Sequence, residues 1–302
     1  MLYMNLSMTS KPAAAFIRSL IRFSNVKARF KTAHLSKLYI QSKGQKHNQD
    51  YPLPSVLNFK SKIQISSFNE RPYIVLNSQA NHSSIMIYLH GGAFVEPLQP
   101  MHMQFCDRIS YLNEISIFVL TYSRLPYSNA HNTLEELKEF MIHIHQTYPS
   151  KSIILMGDSA GGWLALSLAR ILKKELNINV KDLILLSPWC DLSMKNKDLR
   201  CEKLDPILSH EGLQTIGEMW NQKEHPSGFN LDTSILQTQR LHIFTGTHEI
   251  FLNQAKSLTN LAQSQGISVE YLEAEGMFHD FMFFPFKESN YVLQIIDKVI
   301  NN

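Results

Sequence analysis

The sequence predicts an α/β fold, a mostly parallel sheet with helices on both faces and a helical cap. Three observations predict it. Six apolar segments of strand length recur along the chain, at 84–90, 115–122, 152–157, 182–189, 241–246 and 267–275. Helical patterns lie between them, and apolar runs that do not alternate in polarity belong to strands buried on both faces. The connection from Trp189 to Leu241 spans about fifty residues, more than a simple crossover needs, so it carries an insertion.

Taken in order, residues 1–49 hold nine Lys/Arg and no Asp or Glu. Within "AFIRSLIRFSNVKARF", Phe16, Ile17, Leu20, Ile21 and Phe23 fall near helical spacing, with Arg18, Arg22, Lys27 and Arg29 between them. Such a helix can pack its stripe on the protein's own body, the preferred reading, lie on an anionic membrane surface, or imitate an organellar presequence. From residue 59, "FKSKIQISSF", "NERP" and "YIVLN" read as an antiparallel hairpin with its turn. Helices are expected at 133–146, opened by a capping box of Thr133 and Glu136, at 160–176, at 253–265 closed by Gly266, and at 288–300. The long insertion contains "ILSHEGLQTIGEMW", its clearest helix.

The bulk composition narrows the function classes. With 302 residues, 44% hydrophobic and 18% charged, the chain suits one large domain or a core with an appendage. A net charge of +3 gives no global field for nucleic acid. Cys106, Cys190 and Cys201 show neither an even count nor metal-ligand spacing, so no disulfide framework, metal or cofactor is expected. No apolar run reaches the ~18 residues of a membrane span. "AAAFI" is broken at Arg18 before a signal-peptide core could form. A cytoplasmic location is the expectation.

Gly157-Asp158-Ser159-Ala160-Gly161 fits G-x-S-x-G. The pattern alone is weak, but its place, where an apolar strand ends and an amphipathic helix begins, suits a nucleophile in a sharp turn. The helix N-terminus adds unpaired N–H groups and a dipole that favours developing negative charge. "YLHGGAFV" (88–95) also follows an apolar strand. Gly91, Gly92 and Ala93, with Ala160, could turn N–H groups toward an oxyanion. Seen alone, "HGG" would be a glycine turn after a strand.

"HGGAF", "GDSAGG", "LLSPWCDLS" and "DPILS" together resemble the hormone-sensitive-lipase-like branch of the α/β-hydrolase fold, the acetyl-esterase and carboxylesterase type. The resemblance runs from about residue 51 to about 285. It implies a Ser–acid–His order, with Ser159 as nucleophile, Glu249 in "FTGTHEIFLNQA" at the position of the family's aspartate, and His279 in "EGMFHDFMF" as base. The chain departs from the pattern at Ala93, at Glu249, and in "SRLPYSNAHN", where the family has an Ala-Pro-Glu segment. The expected division is a helical cap segment at 1–50, a hydrolase core at 51–190 and 236–302, and a cap insertion at 191–235.

Other candidates are set aside on chemistry. His143 and His145 are two apart on a helix and face apart, so they read as surface residues. His248 reads as a loop contact and His90 as an anchor of the glycine loop. Asp158 and Asp191 read as loop-fixing carboxylates. Asp280, adjacent to His279, is expected to have trouble reaching back to the ring. The expected function is hydrolysis of small, short-acyl carboxylic esters through an acyl-enzyme, with a small-molecule ester as partner and no cofactor. Two alternatives are a non-catalytic ligand-binding protein on a hydrolase scaffold and a membrane-surface lipase. The basic N-terminus is the candidate for weak membrane contact.

Overall fold

The computed structural model describes residues 2–4, 10–24, 26–43, 58–195, 198–222 and 240–302. Its centre is a nine-stranded sheet. The strands are β1 (Leu2–Met4), β2 (Ile63–Phe68), β3 (Arg71–Leu76), β4 (Ser84–Leu89), β5 (Ser116–Leu120), β6 (Ser152–Asp158), β7 (Val180–Leu186), β8 (Arg240–His248) and β9 (Ser268–Phe278). Their order is β1-β9-β8-β7-β6-β4-β5-β3-β2. Only the β2–β3 and β3–β5 pairs are antiparallel. Strands β4 and β5 are buried along their whole length, as expected where helices cover both faces of a sheet.

The helices are α1 (Ser10–Phe23), α2 (Ala33–Lys43), α3 (Pro100–Asn113), α4 (Ala130–Thr147), α5 (Ser159–Leu176), α6 (Leu199–Leu204), α7 (His210–Asn221), α8 (Leu252–Ser264) and α9 (Lys287–Asn301). One apolar layer joins α4, α5 and α8 to one face of the sheet; α3 and α9 close the other. Gly266, with φ of +77°, follows α8 as expected of a helix-closing glycine.

Three elements depart from the expectations. Helix α4 starts at Ala130, capped by Asn129, whose side chain accepts from Asn132 N at 2.9 Å. The Thr133–Glu136 capping box therefore does not form. Thr133 instead donates to Ser123 O at 2.9 Å, and Glu136 pairs with Arg71 at 3.0 Å. The hairpin turn is only Asn69–Glu70, both at positive φ, a two-residue turn matched to the strand twist; Pro72 already lies in β3. Strand β7 ends at Leu186, because Ser187 turns to φ of +42°.

The 1–50 segment also differs from a pure cap. Its β1 extends the sheet beside β9, and α1 buries Ala14 against the core. Further described residues of the segment reach the insertion. Lys27 Nζ donates to Glu202 O and Asp205 O at 2.7 and 2.8 Å, and Ala33 N donates to Glu211 Oε1 at 2.9 Å. A Cβ on Gly212 would meet Phe30 O at 1.8 Å, so α7 sits directly on the N-terminal backbone. Of the 191–235 insertion, residues 196–197 and 223–235 lie outside the described residues.

Candidate active site

Five neighbouring parallel strands end at one edge of the sheet, and each hands a residue to the same place. In sheet order these are His279 after β9, Glu249 after β8, Ser187 after β7, Ser159 after β6 and the His90–Ala93 loop after β4. The carboxyl edge of a parallel sheet is where such ends converge.

Ser159 adopts φ of +50°, a left-handed conformation that costs a non-glycine residue about 1–3 kcal/mol. Close packing enforces it. A Cβ on Gly157 would lie 2.2 Å from Gly161 O, and a Cβ on Gly161 would lie 2.0 Å from Leu89 O. Only glycine lets strand, turn and helix approach this closely. Trp189 N donates to Ser159 O at 2.9 Å, fixing the turn from the far side. The side chain of Ser159 meets His279, with Oγ 3.0 Å from Nε2. Both residues are buried.

Behind the serine, Asp158 organises the glycine loop. Its Oδ1 accepts from Gly91 N at 2.9 Å and from the Tyr88 hydroxyl, and His102 Nε2 stands 3.6 Å from Oδ2. Gly91 is thereby withdrawn from the expected donor set, since its N–H already serves a carboxylate. The N–H groups of Gly92 and Ala93 have no acceptor among the described residues. Ala160 lies in the first turn of α5, where N–H groups lack intrahelical partners. His90 anchors the loop as expected. Its Nδ1 lies 2.6 Å from Gly91 O, and burial, reinforced by His102 and Arg124, holds it well below the ordinary imidazole pKa. The "SRLPYSNAHN" segment braces the same loop, Leu125 N donating to Phe94 O at 2.8 Å.

The carboxylate end is less regular. Glu249 is fully buried. It accepts from Thr245 Oγ1 at 2.5 Å, Ser187 Oγ at 2.7 Å and Gly246 N at 3.2 Å. Burial raises its pKa, against the pull of the His279 charge and these hydrogen bonds. Its Oε2 is 4.0 Å from His279 Nδ1, beyond hydrogen-bond distance, and that nitrogen has no hydrogen-bond partner. Asp280 corrects the sequence reading. At φ of +56° its carboxylate folds back to 3.1 Å from His279 Nε2, the nitrogen that also faces Ser159. The left-handed backbone makes that reach available to an adjacent residue. Burial opposes the imidazolium, but the charges of Asp280, Glu249 and Asp205 outweigh it and raise the His279 pKa.

Two residues escaped the sequence reading. Ser187 donates to Glu249 and its Oγ accepts from Asp280 N at 3.1 Å, so one hydroxyl ties the β8 loop to the β9 loop. Thr245 supplies the second hydroxyl to Glu249. The signal for Ser187 was its place in "LLSPWCDLS", within the segment read as a strand over 182–189. Of the residues set aside, His143, His248 and Asp191 make their contacts outside this cluster. His143 stacks on Phe68 with ring centroids 4.9 Å apart, and His248 Nδ1 meets Arg18 at 2.7 Å. Asp191 accepts from Ser193 N at 2.9 Å, the loop-fixing role expected of it. Among the described residues no group of three or more His, Cys, Asp or Glu side chains could hold a metal ion. No described helix is long and apolar enough to cross a membrane.

Residues of both the 1–50 and 191–235 segments contact the chain just after the glycine loop. Trp220 of α7 stacks on Phe94 at 4.4 Å between ring centroids, and Lys43 of α2 pairs with Glu96 at 2.9 Å. Asp205, before α7, accepts from Ile250 N at 3.0 Å, next to Glu249.

Residues 86–283 match the sequence model of a family described as alpha/beta hydrolase fold. Among curated relatives, an esterase from Acinetobacter venetianus is 26% identical over 217 residues, 69% of this chain and 71% of that one. An acetyl-hydrolase from Streptomyces hygroscopicus is 24% identical, covering 64% and 67%. Among solved structures, a crystal structure from Staphylococcus aureus superposes with a TM-score of 0.83 at 21% identity, over 92% of this chain and 96% of the other. An esterase of the bacterial hormone-sensitive lipase family gives 0.77 at 20% identity, over 96% and 97%.

Proposed function

The chain belongs to the alpha/beta hydrolase fold family, and from that premise we propose that it is a serine carboxylesterase that works through an acyl-enzyme. The observation that carries the proposal is the 3.0 Å approach of Ser159 Oγ to His279 Nε2 at the strand–helix turn, with free backbone donors alongside. The relatives named esterase and acetyl-hydrolase point to the same chemistry.

In this reading His279 Nε2 takes the Ser159 proton as Oγ attacks the ester carbonyl. The N–H groups of Gly92, Ala93 and Ala160 receive the developing oxyanion, where each such donor contributes about 2.7–4 kcal/mol to the transition state. The imidazolium then protonates the leaving alcohol, and water repeats the sequence on the acyl-enzyme. Glu249 orients the ring from its Nδ1 side and stabilises its charged form. The 4.0 Å gap closes to a hydrogen bond when substrate binds, because catalytic contacts tighten in the complex. Asp280 shares Nε2 with Ser159 and favours the protonated ring, so the ring must lose its Nε2 proton before it can accept that of Ser159.

Residues 1–50 and 191–235 are assigned to a cap over Ser159, supported by the contacts of α2 and α7 with Glu96 and Phe94. Phe94, Trp163, Trp189 and Trp220 crowd beside the elbow, which favours small, short-acyl esters. A panel of p-nitrophenyl esters of increasing chain length, run on wild type and Ser159→Ala, tests the proposal. Turnover should peak at short chains and fall by about 10⁴-fold or more in the variant. Full turnover by Ser159→Ala, or none by folded wild type on any ester, would overturn it.

A further inference from the structure

Helix α1 has two apolar faces, and only one is used. Ala14 is buried, and Ile17 and Ile21 pack on the core beside it. On the opposite side Phe16, Leu20 and Phe23 are 65, 51 and 86% exposed. Their spacing of four and three residues places them on one outward stripe. A folded chain rarely leaves two phenylalanines and a leucine together in water, and such patches mark contact surfaces.

Charge selects the occupant. Residues 1–49 carry nine Lys/Arg and no acid, whereas from residue 50 onward 20 Lys/Arg face 26 Asp/Glu. The charge is therefore polarised along the chain, with the apolar stripe inside its cationic segment, of which Arg29 and Lys43 pair with Glu96. Lys11, Arg22, Lys31 and Lys37 are all exposed near it in sequence. A second copy would bring together two segments that have no acid of their own, so self-association is disfavoured. An anionic lipid surface supplies both what the stripe lacks and what the cations attract.

We propose that α1 docks on anionic lipid bilayers, inserting Phe16, Leu20 and Phe23 among the acyl chains while the flanking cations meet the headgroups. The inner face of the same helix explains why docking leaves the fold intact. Arg18 donates to Gly276 O at 2.8 Å and meets His248 Nδ1 at 2.7 Å, pinning α1 to the strand end that leads to His279 and to the residue before Glu249. The docked helix thus lies back to back with the loops of the candidate site. The proposal does not depend on the esterase reading, because docking is measured without turnover.

The test is cosedimentation of the full chain with vesicles of phosphatidylcholine alone, or with one-third phosphatidylglycerol. The protein should partition onto the anionic vesicles at least about tenfold more strongly, and salt near 0.5 M should abolish most of that preference. Phe16→Gln/Leu20→Gln/Phe23→Gln should lose about tenfold or more in partitioning with an unchanged melting temperature. If the triple variant does not fold, Phe23→Gln alone should lose a measurable share. Wild type with no preference for anionic vesicles would overturn the proposal. So would a folded variant that binds like wild type, or a wild-type dimer that the triple substitution dissolves while vesicles remain unbound.

Discussion

At the elbow, Ser159 is held by backbone packed on backbone, whereas Glu249, Asp280 and His279 at the other end are held by hydrogen bonds with competing partners. The first region leaves no choice: the Gly157 and Gly161 contacts with Gly161 O and Leu89 O are too close for any Cβ. The second region is a negotiation. Glu249 satisfies Thr245, Ser187 and Gly246 before it reaches His279, and Asp280 approaches the same ring nitrogen as Ser159. Steric sites should therefore break all at once, and hydrogen-bonded ones by degrees.

Gly161→Ala gives the largest effect. Its Cβ would meet Leu89 O at 2.0 Å and His90 O at 2.7 Å, both unyielding backbone atoms. The variant should lose about 3–5 kcal/mol of stability, read as a lower denaturation midpoint, and nearly all activity with it. A folded, active Gly161→Ala would show that the elbow is not sterically locked.

Glu249→Gln probes the other region without disturbing shape. Removing the charge should leave the imidazole unoriented and lower kcat by about 10³-fold, with a melting temperature close to wild type. Loss of less than about tenfold would mean that Asp280, not Glu249, governs the ring.

Asp280→Asn has the smallest effect and sharpens the comparison through pH. Activity needs neutral His279, so it appears as pH rises through the pKa of that ring. Burial pulls this pKa down, but the Asp280 charge and hydrogen bond, followed by Glu249 and Asp205, raise it above the ordinary imidazole value. Burial, with the charges of Asp158 and Glu249, raises the Asp280 pKa against the pull of the His279 charge and hydrogen bond. Removing the Asp280 charge should move the acid limb of kcat/KM to lower pH, with the alkaline plateau within about threefold of wild type. An unmoved limb would leave Asp280 without influence on the base.

The same contrast explains what was legible in the sequence. Gly157, Gly161 and the paired Gly91-Gly92 announce close backbone approach, and Ser159, Glu249 and His279 each directly follow an apolar strand, so their shared edge could be read before any coordinates. Ser187 follows such a strand too, but a serine before proline carries no mark of the two loops it joins. Asp280 was misjudged because its reach depends on a positive φ that an aspartate does not advertise. Gly91 was misassigned because sequence does not reveal that Asp158 claims its N–H. Outside the site, the Thr133–Glu136 pattern mimicked a cap, while the true one at Asn129 lay four residues before Thr133, at the start of the helix. Periodicity alone also could not divide the apolar residues of α1 between an inward and an outward face.

Ser159, activated by His279, is expected to be the nucleophile. Labelling folded protein with a fluorophosphonate probe and mapping the adduct by peptide mass spectrometry tests it most directly. A single adduct is expected on Ser159, absent from Ser159→Ala and strongly slowed in His279→Ala. An adduct on another residue, or an actively ester-hydrolysing preparation that takes up no label, would contradict it.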